Sequence, residues 1–141
     1  MERPRHVLLR ESFDIALSRD DDFPNLLYDI LFHRHPELEA LFLRNTRSAQ
    51  RKMFGATLAA IVDHDGDVAW GESHLFKMGR THVDYGVTAE MYPYVGDALV
   101  EALAEVCAET WTPEHEGAWR AAFADVTRHM LAGAAAATEG A

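Results

Sequence analysis

The stretch that decides the fold reads His82-Val83-Asp84-Tyr85-Gly86-Val87-Thr88-Ala89-Glu90-Met91-Tyr92-Pro93-Tyr94-Val95-Gly96. It closes one helix and opens another. Upstream, Leu75, Met78 and His82 fall at i, i+3 and i+7, which puts the histidine on the apolar face of a helix covering about Gly71 to Val83. Gly86 sits just past that helix, where a C-terminal stop favours glycine. Thr88 is placed to cap the next helix. From there Met91, Val95, Leu99, Ala102, Leu103 and Val106 share one face. Two helices and a tight turn therefore carry an imidazole to a hydrophobic interior.

The same helical period extends outward in both directions. One helix is expected from Arg5 to Arg19, with Leu9, Phe13, Ala16 and Leu17 facing inward. Asp20-Asp21-Asp22 ends it and can cap the helix whose first turn holds Pro24. That second helix shows Leu27, Ile30, Leu31 and Arg34 on one side, and Pro36 opens a short third helix to Phe42. Asn45 or Thr46 caps a long fourth helix to about His64, with Gln50, Phe54, Thr57 and Ile61 along one face. Thr112-Pro113-Glu114 starts the last helix, which presents Trp119, Ala122, Phe123, Val126 and Met130. The alanine-rich residues 132–141 are expected to fray. The expectation is an all-α chain of six to seven helices, forming one domain over residues 1–141.

Composition bounds the function. With 48% hydrophobic residues the chain can build a core, and a formal net charge of -10 opposes binding to nucleic acid or anionic membrane surfaces. The same charge is expected to steer a basic patch on any partner. No apolar run approaches the roughly 18 residues of a membrane span, and no signal-peptide pattern occurs. The lone Cys107 excludes an intrachain disulfide and a multi-cysteine zinc site, so a reducing, cytoplasmic setting is expected. No H-E-x-x-H, G-x-S-x-G or glycine-rich phosphate loop is present. His33 and His35 flank a proline-broken charged segment, His64 and His74 lie in or near polar loops, and His115 and His129 read as surface or boundary residues. Two interruptions of apolar faces remain. His82 is either a hydrogen-bonded core histidine or a metal ligand, and Gln50 is either an exposed helix start or a polar group lining a cavity.

Three stretches carry a resemblance: Tyr28-x-x-x-Phe32-x-x-x-Pro36-Glu37-Leu38-x-x-x-Phe42, Gln50-x-x-Met53-Phe54, and His82-x-x-x-Gly86-Val87-x-x-x-x-Tyr92-Pro93-x-Val95-Gly96 followed by Leu99. With them the chain resembles the single-domain bacterial globins, and the haem domains of flavohaemoglobins in particular, from about Arg10 to Leu131. The resemblance implies a globin fold around haem b (iron protoporphyrin IX). It implies that His82 is the proximal axial ligand to iron and that Phe42 wedges against the porphyrin. Tyr28 and Gln50 would be the distal polar residues, and Phe54 their apolar neighbour. Met78, Val87 and Tyr92 would be further cofactor contacts, Tyr92 as the proximal-side tyrosine.

The implied function is reversible binding of O2, with NO and CO as further ligands. NO dioxygenation would draw electrons from an external reductase, because the flavin and nicotinamide domains of flavohaemoglobins are missing. The chain departs from the pattern in three places. Phe42 and Gln50 are only eight residues apart, Phe54 is bulkier than the usual aliphatic residue, and Ala134 stands where a glutamate is expected near the end of the last helix. The alternative is a haem-based gas or redox sensor, or an interaction module, acting with a partner in trans. His64 is the only histidine placed to be a second axial ligand, and monomer and homodimer both remain open.

Overall fold

The computed structural model of the chain describes residues 3–42 and 46–139, without the side chains of Arg47 and Glu139. These residues form α1 (Arg5–Arg19), α2 (Phe23–Arg34), a 3-10 turn (Pro36–Leu38) leading into α3 (Glu39–Phe42), α4 (Arg47–Asp63), the single turn α5 (Val68–Trp70), a π-helical segment (Gly71–Leu75), α6 (Phe76–Asp84), α7 (Met91–Cys107) and α8 (Pro113–Glu139). Counted with Val68–Asp84 as one unbroken rod, these are seven helices, and there is no strand among the described residues.

The core follows the apolar spacing. Leu9 and Ala16 of α1, Phe23, Leu27 and Tyr28 of α2, and Ala102 and Leu103 of α7 are each 0% exposed. Burial of a large aliphatic or aromatic side chain stabilises by about 1.5–3 kcal/mol, which fixes α2 on α7 and α1 on both α7 and α8. Leu17, expected to face inward, lies instead at the rim of α1, 36% exposed.

The helix ends show which local signals were obeyed. Thr46 caps α4, its hydroxyl accepting from Ala49 N at 3.2 Å, while Asn45 lies outside the described residues. The aspartate run does not cap α2 through a side chain. Asp20 instead accepts from Asp22 N at 3.0 Å, bending the chain just before Phe23. Thr88 does not cap α7 either; its carbonyl accepts from Met91 N, and the helix begins at Met91 behind Glu90. Thr112 accepts from His115 N, and His115 Nδ1 accepts in return from Thr112 N. This is a reciprocal cap with imidazole in the place usually held by glutamate. His115 Nε2 faces Glu11 at 3.0 Å, so this histidine is 1% exposed rather than a surface residue.

Two features position α6. Its C-terminus is a Schellman motif: Val87 N donates to His82 O at 3.1 Å, Gly86 N donates to Val83 O at 3.0 Å, and Gly86 takes φ 87°. The spacing from His82 to Val87 is therefore the length of that hydrogen-bonded ring. On its other side α6 crosses α8 almost backbone to backbone. A Cβ on Gly79 would come within 2.6 Å of Met130 Cα, and one on Gly133 within 2.8 Å of Phe76 C. This contact carries α8 past the point where fraying was expected, and residues 132–139 are helical.

Candidate functional site

The predicted residues gather on two walls. On the first, Tyr28 is fully buried and packs its ring against Phe32, Phe42 and Phe54, with centroids 5.7, 5.7 and 5.8 Å away. Such aromatic pairs add about 0.5–1.5 kcal/mol each beyond area burial. The Tyr28 hydroxyl donates to the Gln50 backbone carbonyl at 3.2 Å, tying α2 to the first turns of α4. Gln50, Phe42 and Phe54 are half-buried, and the two phenylalanines pack at the edge of the main core cluster. Phe32 was not among the expected site residues, although its i, i+4 spacing from Tyr28 predicts the stacking that is seen.

On the second wall, His82 is half-buried and its Nδ1 lies 2.7 Å from Met78 O. A carbonyl only accepts, so Nδ1 carries the proton and Nε2 presents a lone pair. Burial pushes the imidazole pKa below 6.5, and the bond to Met78 only partly offsets this. The ring is therefore neutral at pH 7, as a metal ligand must be. Among the described residues Nε2 has no hydrogen bond. Met78 and Val87, both half-buried, stand at the edge of a smaller cluster of Leu75, Tyr92, Val126 and Met130. Tyr92 is 6% exposed, and burial raises its phenol pKa. Among the described residues its hydroxyl makes no bond to His82. Ala134 is half-buried in the last helix and brings no carboxylate.

The predicted residues thus lie at the half-buried edges of two apolar clusters or beside them, and among the described residues the neutral His82 ring leaves Nε2 without a hydrogen bond. Ile61, on α4 beyond Phe54, packs with the second cluster, so α4 touches both. A flat apolar cofactor carrying a metal would find hydrophobic partners in Phe42, Phe54, Met78 and Val87 and a nitrogen ligand in His82. A cavity of about 530 Å³ opens elsewhere, between α7 and α8, floored by Gly96, Val100 and Phe123. None of the eight predicted site residues lines it, and the chemistry of the donor set outweighs its size. His64 and His74 each stack on Trp70, with ring centroids 4.5 and 5.3 Å away.

Comparison with known proteins identifies the family and the fold. Residues 25–130 match the family described as Globin. The chain is 30% identical over 127 residues to a protein named Flavohemoprotein from Bordetella pertussis, covering 89% of this chain and 32% of that protein. It thus spans about a third of that relative's length. It is 38% identical over 58 residues to the protein named Anaerobic nitrite reductase NSHB5 of Oryza sativa subsp. japonica, covering 41% of this chain and 40% of that one. The structure of a bacterial globin from Campylobacter jejuni superposes with a TM-score of 0.80 at 21% identity, over 96% of this chain and 97% of that one, and shows the shared fold. The chain belongs to the globin family.

Proposed function

We propose that this globin binds haem through His82 Nε2, holds O2 reversibly against the Tyr28–Gln50 wall, and supports NO dioxygenation with electrons from an outside reductase. The observation that carries the reading is the His82–Met78 hydrogen bond, because it leaves an unprotonated Nε2 on a half-buried imidazole. When bound, the haem supplies one open coordination position for a diatomic ligand and one-electron redox chemistry.

The chain's own residues do the rest. The Met78 carbonyl locks the imidazole ring and raises the basicity of Nε2. Val87, fastened to the His82 carbonyl, offers an apolar contact to the cofactor next to the ligand histidine. The Tyr28 hydroxyl fixes the Gln50 backbone, so that the Gln50 amide can donate a hydrogen bond to a ligand that gathers negative charge. Phe42 and Phe54 exclude water from that bond, which strengthens it. Strong donors slow ligand escape, and slow escape suits reaction with NO better than rapid delivery of O2.

The test is to mix the reduced, haem-loaded protein in O2-saturated buffer with NO and measure nitrate. One nitrate per haem in a single turnover, with the haem left ferric, supports the reading. O2 lost to solvent without nitrate would reduce the role to storage.

A further inference from the structure

The charge of this protein is not spread evenly. Residues 40–62, which hold α4 up to its terminal Asp63, carry Arg44, Arg47, Arg51 and Lys52, and residues 73–83, which hold α6 up to its terminal Asp84, carry Lys77 and Arg80. The two segments contain six of the 13 basic residues and none of the 23 acidic ones. Their described residues include Phe42, Gln50 and Phe54 of the first wall and Met78 and His82 of the second. All the acid of a chain whose net charge is -10 lies outside them.

The ion pairs sharpen the pattern. Arg3, Arg5, Arg10, Arg19, Arg34, Arg120 and Arg128 each pair with an aspartate or glutamate. Arg51 pairs with Asp22 across the α2–α4 contact. Among the described residues, the basic side chains with no acidic partner are Lys52 on α4 and Lys77 and Arg80 on α6, and all three are exposed. Two exposed apolar side chains accompany them: Met53 beside Lys52, 55% exposed, and Tyr85 just past α6, 47% exposed. Exposed methionine, tyrosine and arginine are side chains enriched at protein–protein contacts, and the two unpaired lysines add positive charge to them.

We infer that the crevice walls are the docking surface for an electron-donor protein that is acidic where it touches this chain. The inference rests on the reading of the crevice as a haem site served by an outside reductase, and it names that partner's chemistry. It reverses the expectation drawn from net charge alone, which pointed to a basic partner. The reversal follows from range. At physiological salt the screening length is about 8 Å, so at contact the unpaired Lys52, Lys77 and Arg80 count for more than acids beyond that distance. At longer range the same segregation gives the molecule a dipole with its positive pole on the α4 and α6 side. That dipole turns the crevice toward an acidic partner during the encounter. Each productive encounter oxidises the partner's reduced centre by one electron and reduces ferric haem by one.

The test uses flavodoxin, an acidic flavoprotein, as the donor probe. The haem-loaded wild type is compared with a triple variant carrying Lys52→Glu, Lys77→Glu and Arg80→Glu, all at exposed positions outside the pocket. The readouts are the rate of haem reduction by photoreduced flavodoxin across a salt series and calorimetric binding of oxidised flavodoxin. A neutral deazaflavin radical serves as a small reductant, and haem transfer to apomyoglobin reports cofactor retention. The expected result is a wild-type rate that falls as salt rises. The variant should be about tenfold slower or more at low salt, bind flavodoxin more weakly and react unchanged with deazaflavin. A wild-type rate that rises with salt, or a variant rate equal to wild type, overturns the inference. So does a variant that only loses haem faster, because the cations would then serve the haem propionates alone. If nitrate fails to form while the salt and variant effects persist, the proposed function fails and the docking surface stands.

Discussion

Placing a methyl group on Gly79 separates two opposed effects. In the interior of α6, alanine is favoured over glycine by about 1 kcal/mol on helix propensity alone. The structure opposes that gain. The new Cβ would lie within 2.6 Å of Met130 Cα and closer still to the Met130 carbonyl oxygen, and both are backbone atoms that cannot rotate away. Ordinary carbon–carbon contact is about 3.5–4.0 Å, so α6 and α8 must part by about 1 Å at their crossing. Overpacking of this kind costs about 1–3 kcal/mol, and occasionally more. A rigid backbone neighbour puts Gly79→Ala at the upper end. The net expectation is a loss of about 2 kcal/mol, or a fall in Tm of roughly 6–8 °C for a chain of this size. Gly117→Ala is the control: it lies on α8 with nothing within 4 Å of the new methyl, so it should be neutral or slightly stabilising. Thermal melts of the two variants by far-UV circular dichroism decide the matter. A Gly79→Ala protein melting at or above wild type would refute the close crossing and with it the placement of α6.

Other predictions concern the two walls and the outer shell. Tyr28→Phe removes the donor to the Gln50 carbonyl, so O2 dissociation measured by stopped flow should speed up about tenfold or more, with a stability loss of about 1 kcal/mol; an unchanged off-rate would remove Tyr28 from the ligand's environment. Gly86→Ala forces φ 87° on a residue with a Cβ and should cost about 1–2 kcal/mol in denaturant unfolding; no loss would mean that the turn after His82 is built differently. Glu11 is held below 4.5 by Arg3 first and His115 second. Its contribution is therefore complete above pH 4.5 and is lost as pH falls through the lowered folded value. Glu11→Gln should flatten the acid limb of a Tm–pH profile there, and an unaltered limb would show that the carboxylate is unpaired in solution.

Much of the fold is legible because its signals are local. The cap at Thr46 and the stop at Gly86 each depend on residues within one turn, and both take the form their chemistry dictates. The apolar face of α7 is legible for the same reason, since its period is written in consecutive residues. What escaped was set by distant neighbours. The π-helical segment occurs where buried Gly71 lies under the His129 imidazole, a contact 58 positions away in sequence. The ordered end of α8 depends on Gly133 meeting the Phe76 backbone, which an alanine-rich tail does not advertise. His115 reads as a surface or boundary residue until Glu11, from the first helix, is placed beside it. Thr88 had the right identity for a cap, but the chain leaving the Schellman motif takes another turn before helical geometry resumes. At the site, the imidazole and the aromatic spacing were readable, whereas the Tyr28–Gln50 link between two helices was not.

The central claim is that His82 Nε2 is the protein's bond to haem iron, and the visible spectrum of His82→Gly tests it most directly. The wild type purified with haem should show a strong Soret band with a ligand-sensitive ferrous form. His82→Gly should lose that spectrum and regain it when free imidazole is added, because the vacated space accepts the missing ring. A His82→Gly protein with an unaltered haem spectrum, or a wild type that takes up no haem, would contradict the account.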